Sequence, residues 1–438
     1  MKSPRIKESQ SALSEAIATG MPAEDGFSAL KDSVHRRLLT RLGPQLYTGD
    51  IEPGQLEEFV YESVAEEIDA SDRSISNFNR ANLVQEVVDE VLGIGPIQQL
   101  LRNPRVTEIM VNRYDTIYFE EAGQLHESDL TFASEEHLRR MIERIVANVG
   151  RRIDEASPLV DARLPDGSRV NAVVPPISID GAALTIRKFA AEPYTAADLI
   201  DFGTLTDEAV EFLAACIAAR LNILISGGTG SGKTTTLNVL SAFIPESERI
   251  ITVEDAAELQ LNQPHVVRLE SRPINIEGQG LVSVRDLVRN SLRMRPDRIV
   301  VGEVRDGAAL DMLQAMNTGH DGSLTTLHAN SPKDALIRLE NLVLMAGIDL
   351  PIRAIREQIV EAMDLILHQA RLRDGSRRVT AISEITGIDQ DSIQLQEIFR
   401  FTVAKKNDDG IGRLEPTGLP INRRSKFELR NIAVPKGF

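Results

Sequence analysis

A glycine-rich run in the second half of the chain contains the residue types that bind a nucleoside triphosphate. Residues 227–234 read GGTGSGKT and match the pattern Gly-x4-Gly-Lys-Ser/Thr at every required position. Glycines let the backbone wrap closely around phosphate, so that successive N–H groups point at its oxygens. A strand-like segment, 223–226, precedes the run and a helix-like segment, 235–243, follows it. A phosphate-binding loop requires this order of elements.

The side chains of the same run predict where ATP or ADP and Mg²⁺ bind. Lys233 is expected to reach the β- and γ-phosphates, and the Thr234 hydroxyl is expected to join the Mg²⁺ shell. A glycine-rich turn with a surface lysine is the structural alternative, which the complete motif disfavours. The residues predicted to bind the nucleotide here are Gly228, Thr229, Gly230, Ser231, Gly232, Lys233, Thr234 and Thr235.

A second motif supplies a carboxylate for catalysis. Residues 298–301 are mostly β-branched and predict a buried strand that ends in Gly302 and Glu303. NTPases with this kind of loop usually have an aspartate where Gly302 stands, so the metal ligand must come from elsewhere. Glu303 is then free to polarise the attacking water as a general base. A surface glutamate after a buried strand is the alternative, which the neighbouring phosphate motif disfavours.

Three acidic residues, Glu254, Asp255 and Glu258, follow another predicted strand, 249–253. Acids at the carboxyl end of a strand beside a nucleotide site can hold Mg²⁺ or its water ligands. We therefore predict that Glu254 and Glu258 act with Thr234 at the metal. In the alternative interpretation, Asp255 caps a helix and Glu258 is a solvated neighbour.

Two histidines are candidates for sensing the terminal phosphate. His328 ends the predicted strand 324–328, where an imidazole can hydrogen-bond a phosphate oxygen. His320 lies in the run Thr-Gly-His-Asp-Gly, and for it a structural role is an equal alternative. We predict a catalytic role for His328.

Several arginines are candidates for binding phosphate oxygens, because planar guanidinium groups suit them. Arg285, Arg289 and Arg293 are spaced four apart and share one helix face, so an anionic group should face them. We predict nucleotide roles for Arg293 and for Arg305, which follows Glu303. Ion pairing with carboxylates of this acidic chain is the better interpretation for Arg285 and Arg289.

Three further arginines, Arg163, Arg169 and Arg187, recur around a predicted hairpin, 163–174, whose turn is Pro-Asp-Gly. If this part of the chain folds against the phosphate-binding domain, these arginines could clamp phosphates across a cleft. Surface solvation is an equal alternative at this point.

The elements that must position these residues divide the chain into five segments. After residue 201, helices alternate with short apolar strands, which predicts an α/β fold with a parallel sheet covered on both faces. The segment before it mixes strands with one helix and predicts a smaller α+β domain. The segments are a mobile tail 1–30, a helical bundle 31–101, the α+β domain 102–189, a linker 190–201 and the P-loop domain with a C-terminal extension 202–438.

Composition excludes several classes of protein. The chain has 49 Lys and Arg against 65 Asp and Glu, a net charge of −16, which disfavours nucleic acid as its main ligand. Its one cysteine excludes a disulfide framework and a cysteine-based zinc site. The apolar runs are shorter than the ~18 residues of a membrane span, and the first residues predict no secretion signal. We therefore expect a soluble, cytoplasmic protein.

Together these motifs resemble the type II/IV secretion ATPase superfamily, including the departure at Gly302 and Glu303. Within it the chain is similar to the CpaF-like ATPases that assemble tight-adherence (Tad) pili, over about residues 92–401. Other members often carry a four-cysteine zinc module, which a single cysteine excludes here. The motifs that carry the resemblance are residues 227–234, 253–255, 301–305 and 318–330, with RLPDGSR at 163–169 and NSLRMRPD at 290–297.

The resemblance implies a RecA-like ATPase domain, preceded by a small PAS-like domain, in a homo-hexameric ring. It implies peripheral association with platform proteins at the cytoplasmic face of the bacterial inner membrane. Glu303 would be the catalytic carboxylate, and His328 would contact the terminal phosphate. Arg163, Arg169 and Arg187 would approach the nucleotide from the N-terminal domain. Arg293 and Arg305 would act across a subunit interface.

Three functions are compatible with these motifs. The first is an ATP-hydrolysing motor that assembles, and in some systems retracts, a Tad or type IV-like pilus. The second is a type IV secretion traffic ATPase that exports effector or DNA, for which the chemistry is identical. The third is a nucleotide-gated regulatory module with little turnover, which an intact Glu303 and Arg293 disfavour.

Overall fold

The computed structural model divides along the chain into two units, Met1–Phe189 and Ala190–Phe438. It describes residues 93–438 apart from 122, 190–192, 275–278 and 404–411, and also the single positions 61, 62, 66, 85 and 89. The predicted tail 1–30 and nearly all of the predicted bundle 31–101 lie outside the described residues. No helix in the described part of the chain is long and apolar enough to cross a bilayer.

The first unit is built on a six-stranded antiparallel sheet with the strand order β3-β2-β1-β6-β5-β4. A helix packs on this sheet because its apolar residues Leu138, Ile142 and Ile145 recur on one face and are buried. The predicted N-cap of that helix, Ser134, accepts a hydrogen bond from the His137 backbone N–H. The described elements are a short 3₁₀ helix Gly95–Ile97, α1 Gln98–Arg102, β1 Val106–Arg113, β2 Thr116–Glu121, β3 Gln124–Ser128, α2 Glu135–Asn148, β4 Leu159–Arg163, β5 Arg169–Val173 and β6 Ala183–Arg187.

The second unit is built on a nine-stranded mixed sheet with the order β15-β14-β13-β12-β7-β11-β10-β8-β9. The strands from β12 to β9 in this order run parallel, as the sequence predicted, and β13, β14 and β15 are antiparallel. The described elements are α3 Ala196–Asp201, α4 Asp207–Ala218, β7 Ile223–Gly227, α5 Lys233–Ser241, β8 Ile250–Glu254, β9 Val266–Glu270, α6 Val284–Ser291, β10 Arg298–Val301, α7 Ala308–Asn317, β11 Leu324–His328, α8 Pro332–Leu344, α9 Ile352–Ala362, β12 Leu365–Arg371, β13 Arg377–Asp389, β14 Ser392–Val403, β15 Gly412–Pro416 and α10 Arg424–Glu428.

Two apolar clusters cover the two faces of this sheet. Alternate residues of a strand point to opposite faces, so Ile223 and Ile225 of β7 join one cluster and Leu224 joins the other. Helices α4 and α5 pack on the first face, through residues such as Phe212. Helices α6 to α9 pack on the second, through residues such as Leu339. The sheet is therefore covered on both sides, and its functional groups must lie at the ends of its strands.

The predicted linker 190–201 differs from the structure over its second half. Residues 196–201 form helix α3, in which Thr195 and Asp198 make a reciprocal capping box. Leu199 is buried in the core of the second unit. Few large apolar residues mark this segment in sequence, yet one leucine and a good cap are enough to fix a short helix against an existing core.

The polar C-terminal region is more deeply integrated than its composition suggests. Strand β12 lies beside β7 in the middle of the sheet. The completely buried carboxylate of Glu384 on β13 accepts the backbone N–H groups of Asn422 and Arg423. The equally buried Asp364 binds the Lys426 ammonium at 2.7 Å. Charged groups thus hold the chain before α10, and α10 itself, against the sheet.

Arg298, the first residue of β10, is completely buried. Its Nε lies 2.5 Å from a Glu248 carboxylate oxygen, and its Nη1 donates to the Gly322 carbonyl. A Cβ on Gly322 would lie 2.2 Å from that Nη1, and its φ of +83° is in the left-handed region. Glycine is required there both by conformation and by the approach of the guanidinium.

We expect Arg298→Met to destabilise the second unit by about 3 kcal/mol, because it leaves Glu248 with one arginine, Arg220, in place of two. For a unit of this size that corresponds to a fall of roughly 6–12 °C in the midpoint of thermal unfolding, followed by circular dichroism. Arg353→Met is the control, since it breaks an exposed ion pair with Glu357 and should lower the midpoint by about 2 °C or less. Equal shifts in both variants would contradict the importance of the buried pair.

Candidate functional site

The phosphate-binding loop connects the end of β7 to the start of α5. Gly230 and Gly232 have φ values of +67° and +93°, which turn the backbone tightly before the first helical residue, Lys233. A Cβ on Gly227 would lie 2.3 Å from the Gln369 carbonyl oxygen, so this glycine is needed for close strand packing. The loop thus brings the predicted nucleotide-binding residues together with the free N–H groups of a helix start, a site that suits phosphate. These residues are Gly228, Thr229, Gly230, Ser231, Gly232, Lys233, Thr234 and Thr235.

Two polar groups of the loop indicate how it would receive phosphate. The Lys233 ammonium donates to the Gly228 carbonyl at 2.9 Å and so lies folded across the loop. Burial lowers the pKa of Lys233, and the Glu303 carboxylate counteracts this effect. The Ser231 hydroxyl is buried without a hydrogen-bond partner among the described residues. Phosphate oxygens would supply acceptors to both groups.

Glu303 lies at the carboxyl end of β10 and is bound by an arginine of its own chain. One Glu303 oxygen accepts from Arg305 Nε at 2.9 Å and Nη2 at 2.6 Å. The same guanidinium reaches Asp255 at 3.1 Å. Arg305 therefore lies at the predicted site, but as a partner of the candidate base. These contacts use only one of the two Glu303 oxygens.

The glycine at position 302 has a steric cause. Strands β8 and β10 pair in parallel with Val253 opposite Val301, so Glu254 lies beside Gly302. A Cβ on Gly302 would lie only 2.9 Å from Glu254 Cγ. The Glu254 side chain thus occupies the space into which a side chain at 302 would extend. A carboxylate is therefore present beside position 302, on the neighbouring strand.

The Glu254 carboxyl is buried and only half satisfied. Its Oε2 accepts the backbone N–H groups of Glu258 and Leu259, at 2.7 and 3.0 Å. Its Oε1 has no hydrogen-bond partner in the described part of the chain. Burial raises the pKa of Glu254 to about 7, against which the two N–H groups act. A nearby cation would ionise this carboxyl fully.

The predicted magnesium residues fit a site completed by phosphate and water. In the described ranges, no three His, Cys, Asp or Glu side chains form a cluster that could hold a metal. The orphaned Glu254 oxygen and the Thr234 hydroxyl are oxygen donors of the kind that Mg²⁺ prefers. Glu258 contributes through its backbone, because its N–H donates to the Glu254 carboxylate and orients it. Its carboxylate stays a predicted metal contact.

The two candidate histidines lie at opposite ends of β11. His328 ends the strand opposite Gly227 of β7, which places it beside the loop. Burial and the Lys233 charge lower the pKa of His328, so the neutral imidazole prevails at neutral pH and can donate one N–H to phosphate. His320 precedes β11 and contacts the Ala315 carbonyl at 3.2 Å. It therefore has a structural position, away from the loop.

The arginines around α6 do not gather at the loop of their own chain. Arg285 and Arg289 each bind the buried carboxylate of Asp311 on α7, both at 2.7 Å. Asp311 is thus an anionic group facing these arginines, as their spacing predicted. Arg293 is exposed, donates to the Arg289 carbonyl and precedes β10. It lies at the amino end of that strand, whereas Glu303 lies at the carboxyl end, so a role at the nucleotide requires a second copy of the chain.

The three arginines of the first unit form one row across its sheet. Arg169 on β5 pairs with Arg163 on β4 and with Arg187 on β6. Paired residues of antiparallel strands share a face, about 5 Å apart, where like charges repel. Arg163 is further held by the Gly167 carbonyl and lies 5.8 Å from the Phe189 ring centroid. Such a row is suited to an anion with several oxygens.

Sequence reasoning missed the residues that β12 places beside the loop. Gln369 lies opposite Gly227 and accepts a hydrogen bond from Thr236 Oγ1 at 2.7 Å. The preceding residue, His368, contacts Ser226 Oγ at 2.9 Å. The apolar run 365–367 before them was the available signal for a parallel strand. The polar character of the rest of the C-terminal region obscured it.

Comparison with known proteins gives one family match and several relatives. Residues 90–400 match the family described as "Type II/IV secretion system protein". A Mycobacterium tuberculosis protein provisionally named for conjugal transfer is 40% identical over 300 residues, which cover 67% of this chain and 85% of the relative. The type IV secretion system protein VirB11 of Bartonella quintana is 32% identical, over 70% of this chain and 96% of its own. The solved VirB11 ATPase of Brucella suis, in complex with sulphate, is 29% identical, with a TM-score of 0.37, over 66% of this chain and 95% of that chain.

The buried carboxyl of Glu254 predicts a pH-dependent stability. Its pKa is about 7 in the folded chain against an ordinary 4.5, so ionisation penalises folding increasingly as pH rises from about 4.5 to 7. Glu254→Gln removes this penalty, which reaches up to about 3 kcal/mol above pH 7. In the absence of Mg²⁺ and nucleotide, the thermal midpoint of the variant relative to wild type should therefore rise between about pH 5 and pH 8.

The exposed Glu357 on α9 supplies the control for this measurement. Glu357→Gln measures how far the loss of an exposed carboxyl by itself changes the midpoint. A difference between Glu254→Gln and wild type that is constant over this range would show that Glu254 is already ionised at pH 5.

Proposed function

The chain belongs to the type II/IV secretion system protein family and is an ATPase, and from that premise we propose that it powers a type IV secretion machinery. In this function the energy of ATP hydrolysis drives export of effector protein or DNA. ATP hydrolysis is supported by the position of Glu303 at the carboxyl end of β10, close enough to Lys233 on the loop for their charges to interact. Relatives named for conjugal transfer and type IV secretion, similar over most of their length, support the choice of machinery.

The chemistry assigns a separate task to each charged group. Lys233 would leave the Gly228 carbonyl and bind the β- and γ-phosphates. Glu303 would take the proton of the attacking water on the oxygen that Arg305 does not contact, and the Arg305 guanidinium would neutralise charge developing on the phosphoryl group. The Thr234 hydroxyl and the Glu254 carboxylate would hold Mg²⁺, which would neutralise negative charge on the phosphates. His328 would donate an N–H to the terminal phosphate.

We further propose that the working form is a homo-hexameric ring at the cytoplasmic face of the inner membrane. The position of Arg293 supports an assembly, because this arginine lies at the strand end opposite to the nucleotide of its own chain. In a ring it would reach the nucleotide of a neighbouring copy. The arginine row of the first unit, centred on Arg169, would approach the phosphates when nucleotide binds.

Assembly of a Tad-type pilus is the second candidate function. It is favoured by two segments, 163–169 and 290–297, that resemble the CpaF-like pilus ATPases. Both functions use the same ATPase chemistry, a RecA-like motor domain and a PAS-like domain before it. They differ in the exported subunit and in the platform that receives the force.

Replacing Glu303 tests the motor in both settings. Glu303→Gln should lower kcat for ATP hydrolysis by about 100-fold or more, because the base is lost, while nucleotide binding is retained. Glu357→Gln, an exposed change on α9, should leave kcat unchanged. In cells, the Glu303 variant should abolish export of DNA or effector and leave surface pili intact. Loss of pili with normal export would favour the pilus motor, and wild-type behaviour in both would indicate a regulatory module.

The arginine row can be tested at its centre. Arg169→Gln removes one of three adjacent like charges. If the row meets the phosphates, kcat should fall by about tenfold or more. Arg113→Gln is the control, because Arg113 lies on β1 of the same sheet and pairs with Asp115 on the surface. Equal activities of the two variants would remove the row from the mechanism.

A further inference from the structure

The turn between β12 and β13 concentrates positive charge in an otherwise acidic protein. Residues 371–378 read RLRDGSRR and contain four arginines and one aspartate, while the whole chain carries a net charge of −16. The strands of this hairpin pair directly, with Arg371 opposite Arg377. Since paired residues share a face of the sheet, two guanidinium groups lie side by side, an arrangement that an anion would stabilise.

This hairpin lies beside the phosphate-binding loop. Gln369 of β12 is level with Gly227, so Arg371 and Arg377 extend past the strand edge from which the loop begins. Arg377 Nε donates to the Gly230 carbonyl at 3.0 Å. A Cβ on Gly230 would lie 3.9 Å from Arg371 Nη1. Both guanidinium groups are therefore within reach of a ligand held by the loop.

The order of strands determines which part of the nucleotide the hairpin would contact. Strand β7 has β11 on one side and β12 on the other. His328, Glu303 and Glu254 all lie on the β11 side, at the ends of β11, β10 and β8. The γ-phosphate and its metal belong beside these groups. The α-phosphate, at the other end of the triphosphate, then lies toward β12 and the hairpin.

We propose that Arg377, assisted by Arg371, anchors the α-phosphate of the bound nucleotide. Arg377 exchanges the Gly230 carbonyl for a phosphate oxygen, a stronger charge-assisted acceptor. The α-phosphate is present in ATP and in ADP, and its charge does not change during hydrolysis. An interaction with it stabilises ground state and transition state equally, so it contributes to affinity and not to kcat. Arg377 is thus a binding residue for both nucleotides.

Arg377→Gln tests this assignment on the purified full chain. The dissociation constant of ADP, measured by isothermal titration, and the KM for ATP should both rise by about tenfold. The value of kcat should stay within about twofold of wild type. Arg373→Gln is the matched control, because Arg373 is an exposed arginine in the same turn and should leave all three quantities unchanged. A fall in kcat at unaltered ADP affinity would overturn the proposal in favour of a γ-phosphate role.

Inorganic pyrophosphate separates direct contact from an effect on loop shape. Arg377 also holds the Gly230 carbonyl, so its loss could disorder the loop. Pyrophosphate occupies the loop without an α-phosphate, and its affinity should be the same in wild type and in Arg377→Gln. If pyrophosphate and ADP weaken equally, the arginine shapes the loop and the proposal is wrong. Arg377→Lys should give an intermediate ADP affinity, because it keeps the charge and loses the planar fork.

These measurements concern nucleotide binding alone and rest on the ATPase activity of the family. They require no exported cargo and no membrane partner. Their failure would leave the proposed secretion function intact. Conversely, if the Arg377 variant has the expected affinities, the assignment of Arg377 holds even if the machinery assembles a pilus.

Discussion

The parallel pairing of β7 with its two neighbours is the constraint on which the rest of the structure depends. Because parallel strands end at the same edge, residues distant in sequence are brought to one line. Gly227, His328 and Gln369 are level with one another in three adjacent strands. Glu303 follows the next strand, β10, and Glu254 is the last residue of β8. The helices that cover the sheet bury its faces, so this edge is where polar chemistry can be placed.

Crowding at this edge gives its two acidic groups different surroundings. Glu254 lies over Gly302 and is buried, with one oxygen held by backbone N–H groups. Such a carboxyl is fixed in position and only poorly solvated, which suits an ion or its water shell. Glu303 is more exposed and pairs with a largely exposed arginine, Arg305. A group that must receive a proton benefits from this access to water. One carboxylate is therefore positioned and the other is accessible to water.

The sequence predicts those parts of the structure that depend on residues close together in the chain. Strands β10 and β11 have the predicted bounds, because short apolar runs between helices leave little choice. The loop residues 228–235 come together as expected, since their spacing within one turn fixes them. The place of β12 could not be predicted in this way, because its partner β7 is about 140 residues away. The Glu254 side chain lies in the space beside Gly302, on the neighbouring strand. This too is a contact between strands, which no local sequence pattern encodes.

The charged groups around the loop share a feature that bears on how a motor could work. Each is bound to a partner of its own chain: Lys233 to a loop carbonyl, Glu303 to Arg305, and Arg377 to the carbonyl of Gly230. Phosphate offers Lys233 and Arg377 a stronger acceptor than a carbonyl does. Nucleotide binding would therefore rearrange the loop and the β12–β13 hairpin together. Loss of the γ-phosphate would remove one acceptor of Lys233, whereas the proposed contact of Arg377 with the α-phosphate would persist in ADP. Hydrolysis would then change contacts on the β10 side of the site, while the hairpin side still holds the product.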